Sequence, residues 1–187
     1  MAMNRRTFVS LAGIGAAAAG LLVRANAVHP RTSMDTITQL QKEWKTLLAS
    51  GADVALSREP LQRSDTEWKK TLTPEQYQVL REEGTERPGS SPLNREKRPG
   101  VFACAGCSAP LFTSAMKYES GTGWPSFFTA IPQALATRRD FKLILPRTEY
   151  HCVRCGGHHG HLFEDGPPPT GLRYCNNGVA LRFIPKA

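Results

Sequence analysis

Two Cys-x-x-Cys pairs, Cys104 with Cys107 and Cys152 with Cys155, account for four of the five cysteines and leave Cys175 over. The remaining one sits in Gly171-Leu172-Arg173-Tyr174-Cys175-Asn176-Asn177-Gly178, with Arg173 two residues before it and Asn177 two after. In an alternating strand those three side chains share one face. A cation beside a thiol favours the thiolate, its nucleophilic form. By itself the octapeptide fits an inert, buried cysteine equally well. Upstream, His158-His159-Gly160-His161 gathers three of the five histidines. Imidazoles beside a thiolate suit acid–base work, with a second metal site as the competing reading. Ser120 to Phe127, Ser-Gly-Thr-Gly-Trp-Pro-Ser-Phe, is a glycine-loosened turn that presents the Trp124 ring.

The paired cysteines have a different chemistry. A gap of two residues lets both sulfurs of a pair converge on one ion, and Ala105-Gly106 and Gly156-Gly157 permit the tight turn this needs. The 44 residues from Ser108 to His151 exceed the usual ribbon spacing of roughly 15–20. A β excursion must therefore return the second pair to the first. Disulfides and a redox-active pair are the alternatives. Structural zinc held by Cys104, Cys107, Cys152 and Cys155 is preferred, because paired knuckles suit a closed tetrahedral site that staples loops and does no chemistry.

Elements must position these groups. Thr36 to Ala49 carries apolar residues at helical spacing (Ile37, Leu40, Trp44, Leu47, Leu48), which predicts a helix stopped near Gly51. Ser64-Asp65-Thr66-Glu67 opens a short second helix through Leu72. Thr73-Pro74-Glu75-Gln76 opens a third, to about Glu83, with a threonine cap, proline at the first position and a capping-box glutamine. Arg87 to Pro99 reads as an extended loop. After Gly100 short runs separated by turns predict antiparallel strands: Val101 to Ala103, Phe141 to Leu145, Tyr150 to Val153, His161 to Phe163, Leu172 to Cys175 and Val179 to Ile184.

The N-terminus is of another kind. Asn4-Arg5-Arg6-Thr7-Phe8-Val9-Ser10, an apolar run from Val9 to Val23, and Ala25-Asn26-Ala27 compose a twin-arginine-type export signal with a small-x-small cleavage site. The run falls short of the roughly 20 residues that span a bilayer, so no stable membrane anchor is expected. Residues 1–27 are assigned to the signal, 28–63 to a partly helical extension and 64–187 to the main domain. Removing the signal takes the formal charge from +8 to +5 and leaves 160 residues. That modest balance, without dense Lys/Arg runs, argues against nucleic acid.

In order along the chain, Cys-Ala-Gly-Cys, Ser-Gly-Thr-Gly-Trp-Pro-Ser-Phe, the second knuckle, His-x-Gly-His-x-Phe-x-Asp-Gly-Pro and Gly-Leu-Arg-Tyr-Cys-x-Asn resemble the methionine-R-sulfoxide reductase family, MsrB. Trp68, Thr73 to Tyr77 and Gly84-Thr85-Glu86 extend the likeness, which covers about residues 64–185. It implies a mainly β fold, two antiparallel sheets with short N-terminal helices and a four-cysteine zinc site. It also implies an enzyme acting on oxidised proteins, with Cys175 attacking the sulfoxide sulfur and forming a sulfenic acid. By the same likeness His158 and His161 are the active-site histidines and Asp165 orients them. Arg173 holds the nucleophile charged, Asn177 belongs to the surrounding hydrogen-bond network, and the Trp124 ring receives the substrate methyl. His159 stands where the family is usually apolar and has no assigned role.

Many members carry a resolving cysteine where this chain has Thr122. A one-cysteine enzyme is therefore expected, a monomer exported to the periplasm and recycled by a thioredoxin-like partner or a small thiol. Readings from other classes are a zinc-ribbon binding module with Cys175 merely buried, and a thiol peroxidase using the same sulfur.

Overall fold

The computed structural model describes residues 33–143 and 145–186. The export signal expected over 1–27 lies outside the described residues. Arg31–Ala187 form one compact unit, so the segment before residue 64 belongs to the same body as the strands.

Among the described residues three α-helices lead in. Helix α1, Met34–Glu43, starts at Ser33, whose hydroxyl accepts the Thr36 N–H, and buries Ile37. The single helix expected over 36–49 is cut at Glu43 and continues as a 3-10 turn, Trp44–Leu47. There the Thr46 hydroxyl donates to the Glu43 carbonyl at 2.7 Å, a local bond that competes with the helical ladder. Trp44 is buried as a result. Helices α2, Asp65–Thr71, and α3, Pro74–Glu82, each open with a complete capping box, Ser64 with Glu67 and Thr73 with Gln76. Glu83, at φ 56°, takes the left-handed position that ends α3, and Gly84 serves a different need. A Cβ on it would lie 3.0 Å from the Gln78 carbonyl oxygen.

Among the described residues nine strands form two antiparallel sheets. In the smaller, β1 (Gly100–Cys104) is flanked by β2 (Pro110–Thr113) and β9 (Leu181–Pro185). The larger contains β3 (Lys117–Tyr118), β4 (Ser126–Phe127), β5 (Leu135–Asp140), β6 (Arg147–Cys152), β7 (His158–Phe163) and β8 (Arg173–Asn176), in the order β3-β4-β8-β7-β6-β5. The core joins the two. Phe112 stacks on Phe127 with ring centres 4.0 Å apart, and Phe102 meets Phe127 edge-on at 5.1 Å. The buried Tyr150 hydroxyl donates to Asn176 Oδ1 at 2.9 Å, so that polar group costs little to bury.

One expected strand is misplaced. Phe141, Leu143 and Leu145 are 72%, 57% and 77% exposed in a hairpin loop, and the strand lies just before them. Asp140 pairs with Arg147 and closes that hairpin. Strand β5 is an edge whose Thr137, Arg138 and Arg139 carry no apolar signal; charge on an edge strand blocks pairing with other chains. The Arg87–Pro99 loop likewise contains a 3-10 turn, Pro92–Arg95, and the run expected from Val179 opens with one, Gly178–Ala180.

Candidate active site

Strand register gathers the reactive groups. Glu149 on β6 faces His161 on β7, and His161 faces Cys175 on β8, so the three project from one side of the sheet. Arg138 on β5 continues the row opposite Glu149. On the other flank of β8, Ser126 of β4 is the partner of Cys175. Strands β7 and β8 approach so closely at this point that a Cβ on Gly160 would overlap the Cys175 carbonyl oxygen. Only glycine fits between His159 and His161.

Cys175 is half-buried at a cleft of about 120 Å³ whose walls include Trp124, Arg147, His161, Phe163 and Asn177. Burial pushes its thiol above the ordinary range; the Arg173 charge, a hydrogen bond from Thr122 and one from Arg173 pull the other way. Arg173 therefore moderates the acidity of Cys175 without overcoming its burial. Arg173 is itself fixed, donating to both Asp165 oxygens at 2.7 and 2.8 Å, with its guanidinium 4.2 Å over the Phe163 ring. Asp165 thus binds Arg173 and neither histidine, contrary to the orienting role expected of it.

The carboxylates beside the histidines are Glu149 and Asp140, which the sequence reading missed. His158 Nδ1 lies 2.8 Å from Glu149 Oε1, and the pair is almost fully enclosed, 2% and 3% exposed at the side chain. Burial alone would raise Glu149, but hydrogen bonds from His151 and His158 and the nearby charges hold it down to about 2. His161 Nε2 lies 2.7 Å from Asp140 Oδ2, an oxygen that also accepts from Arg147 Nη2 at 2.6 Å. The backbone N–H of Lys142 and then His161 keep Asp140 well below the carboxylate range. Burial lowers His161 below the ordinary imidazole value, against the pull of Asp140. The two rings meet edge-on at 5.5 Å. Of the pair, only His161 lines the cleft with Cys175. His159 is fully buried with no partner for either ring nitrogen among the described residues; burial lowers it to about 3, so it is neutral.

Glu86 ties the walls together. Its carbonyl accepts the Trp124 indole N–H at 3.2 Å and its N–H donates to Asn177 Oδ1 at 3.0 Å. Its carboxylate takes the Gly178 and Val179 N–H groups at 2.7 and 2.8 Å. Asn177 Nδ2 donates to the His159 carbonyl at 3.0 Å. The Asn177 side chain therefore braces the backbone after β8 and lines the cleft without bonding the sulfur. No spacing signal marks Glu149, Asp140 or Arg147, because cross-strand neighbours are distant in the chain.

The four paired cysteines converge elsewhere. Cys104 and Cys107 bracket the turn from β1 to β2, and Cys152 and Cys155 the turn from β6 to β7. Their sulfurs lie within 4.8 Å of one another, with Cys104–Cys155 at 3.7 Å and Cys107–Cys152 at 3.6 Å. A tetrahedron of sulfurs about 2.3 Å from a central ion has edges of about 3.8 Å. The donors thus fit a four-thiolate metal centre. Hydrogen bonds among the sulfurs, beginning with Cys104, push Cys107 towards the thiolate, while Cys104 is pushed the opposite way. Replacing shared protons by a cation would satisfy all four.

A family model described as the SelR domain matches residues 72–185. The peptide methionine sulfoxide reductase MsrB of Agrobacterium fabrum is 49% identical over 131 residues, 70% of this chain and 97% of that protein. Its namesake in Methanosarcina barkeri is 51% identical over 129 residues, 68% and 91% of the two chains. That of Thiobacillus denitrificans is 50% identical over 125 residues, 66% and 95%.

Proposed function

Because the chain belongs to the peptide methionine sulfoxide reductase family MsrB, we propose that it reduces methionine-R-sulfoxide in proteins, with Cys175 as the nucleophile. One observation carries the reading: the rung that sets Cys175 beside His161, within a cleft walled by Trp124. The thiolate attacks the sulfoxide sulfur and forms an S–S bond, and the oxygen takes protons and leaves as water as its S–O bond breaks. Water then attacks the Cys175 sulfur, breaking the S–S bond to release methionine and leaving a sulfenic acid and a proton. His161 is the proton donor, since it faces the cleft and Asp140 occupies Nε2, leaving Nδ1 to exchange a proton with bound oxygen. His158 and Glu149 support that ring from behind. Trp124, its indole N–H held by the Glu86 carbonyl, packs against the substrate methyl and selects the epimer. Arg173, steadied by Asp165, favours the charged sulfur.

The reductant is external. Four of the five cysteines belong to the metal cluster, and Thr122 offers Cys175 only a hydroxyl. A single turnover on the R epimer without reductant should yield one methionine per chain and a protein heavier by one oxygen. The S epimer should remain untouched. Loss of two hydrogens with a bond between Cys175 and another cysteine would refute the one-cysteine reading, and failure to reduce either epimer would refute the activity.

The pH dependence follows from the shifts around the site. Activity requires His161 protonated and Cys175 ionised. His161 titrates below 6.5 and Cys175 above 9.0, so between the two the protonated acid declines as the thiolate grows and their product stays level. The kcat/KM profile should thus rise on an acid limb below about 6.5 and fall on an alkaline limb above about 9. Arg173→Met removes the cation that holds the thiol down and should move the alkaline limb upward; an unmoved limb would take Arg173 out of the acidity of Cys175.

Zinc is the ion that suits an all-cysteine, redox-silent staple. Cys104, Cys107, Cys152 and Cys155 would hold it and it would supply stability, with no part in the reduction. Export through a twin-arginine route, supported by Asn4 to Ala27, would put the enzyme in the periplasm. A thioredoxin-like protein or a small thiol would recycle it there.

A further inference from the structure

Helix α1 and most of the stretch that leads from it towards α2 lie outside the family match. The SelR match begins at residue 72, and the 131 residues aligned with the Agrobacterium relative, 97% of that protein, begin no later than residue 57 of this chain, which leaves that protein no room for most of residues 33–56. Here the segment is fastened in place. Ile37 and Trp44 are buried, Leu40, Leu48 and Leu61 pack against the main core, and Gln41 donates to Thr129 Oγ1 at 2.8 Å.

Its course runs over the metal cluster. The Ala55 N–H donates to the carbonyl of Ser108, the residue after Cys107, at 2.9 Å, and the Leu61 N–H donates to the carbonyl of Arg154, between Cys152 and Cys155, at 2.6 Å. Two points six residues apart on one segment thus grip one knuckle each. Arg182 fastens the same segment to the first knuckle, with Nη1 on Asp53 Oδ2 at 3.0 Å and Nη2 on Ser108 Oγ at 2.9 Å. Arg154 crosses between the knuckles, its Nη1 on the Cys107 carbonyl at 3.0 Å. The knuckles are turns of two different sheets, so drawing one turn away from the other opens the four-cysteine site and frees its ion. A strap joined to both opposes that motion.

From these contacts we infer that residues 33–63 form a retention strap for the metal centre, slowing loss of the ion by tying the two knuckles to each other. The inference rests on the four-cysteine metal reading and is independent of the reductase activity. Each N–H bond removed from an otherwise closed site should speed opening by about five- to tenfold.

The test is the rate at which the zinc-loaded chain gives up its metal to excess chromogenic chelator, at a temperature where circular dichroism shows every chain folded. The chains are residues 28–187, a truncation beginning at Ser64, and Ala55→Pro/Leu61→Pro, which removes both donors and keeps the rest of the segment. Release on the order of tenfold faster or more is expected from the last two, with sulfoxide reduction by the zinc-loaded proteins unchanged. A release rate within twofold of the intact chain in either folded variant would overturn the strap. Should the truncation not fold, the double-proline chain decides alone. A full-length chain that takes up no zinc overturns the inference through its metal premise, and does so without touching the sulfoxide assay.

Discussion

Replacing Cys175 by serine removes methionine formation, by about ten-thousandfold or more, while metal content and melting profile stay as they are. The expectation rests on how little else the site offers. Burial already raises the thiol at this position, and a hydroxyl, far weaker as an acid, would be un-ionised at any working pH. Oxygen also lacks the soft, polarisable character that lets sulfur attack sulfur. Serine fills nearly the same space, so the Ser126–Cys175 and His161–Cys175 rungs have no reason to shift. Single-turnover assays on a sulfoxide peptide with metal analysis of the same sample make the check. Retained activity would move the chemistry to another sulfur. The same variant separates a binding module, which would lose nothing, from an enzyme. Supplying peroxide in place of sulfoxide separates a peroxidase.

His161→Ala should lower kcat by about 10²- to 10⁴-fold, the range for removing a positioned proton donor, with KM little changed. Asp140→Asn should cost less and should move the acid limb of the pH profile to lower pH, because a neutral amide no longer favours the imidazolium. His158→Ala should behave differently. It leaves Glu149 Oε1 without its partner in a nearly closed site, with Arg138 and His151 still on Oε2, so the main loss is stability, roughly 1–3 kcal/mol, read as a lower melting temperature. An equal kcat loss in both histidine variants with no change in melting would abolish this division of labour. The division comes from exposure: one imidazole reaches the cleft and the other reaches only a buried carboxylate.

Much of this was legible in the residue order. The capping boxes at Ser64 and Thr73, the metal knuckles and the nucleophile strand carry their signals within a few neighbouring residues, which is the range over which sequence patterns act. The MsrB resemblance agrees with the family the comparisons show, and the sheets have the antiparallel form it implies. What escaped is what depends on distant pairing. Phe141 to Leu145 has the composition of a strand, yet the hairpin closes before it at Asp140 and Arg147. The polar run that does form the strand is held by pairing with β6, not by any apolar alternation of its own. Asp165 stands within the histidine motif, which marks it as their partner by proximity in the chain, although β8 brings Arg173 to it. Glu149 and Asp140 reach the histidines only because three strands align. The connection of residues 33–63 to both metal knuckles is carried by backbone N–H groups, which no side-chain identity can announce.

Thr122 gives the fold a further property. Its hydroxyl helps to pull the Cys175 thiol down and lies 2.9 Å from Ser120 Oγ, which in turn lies 2.7 Å from Ser126 Oγ. The turn that presents it is separate from the strands that build the acid and the nucleophile. On the one-cysteine reading proposed above, recycling and reduction would be encoded on different pieces of chain. On that reading a mutation in the turn would change how the enzyme is regenerated, and hence which cellular thiol supply it draws on, while the acid and the nucleophile keep their places on β7 and β8.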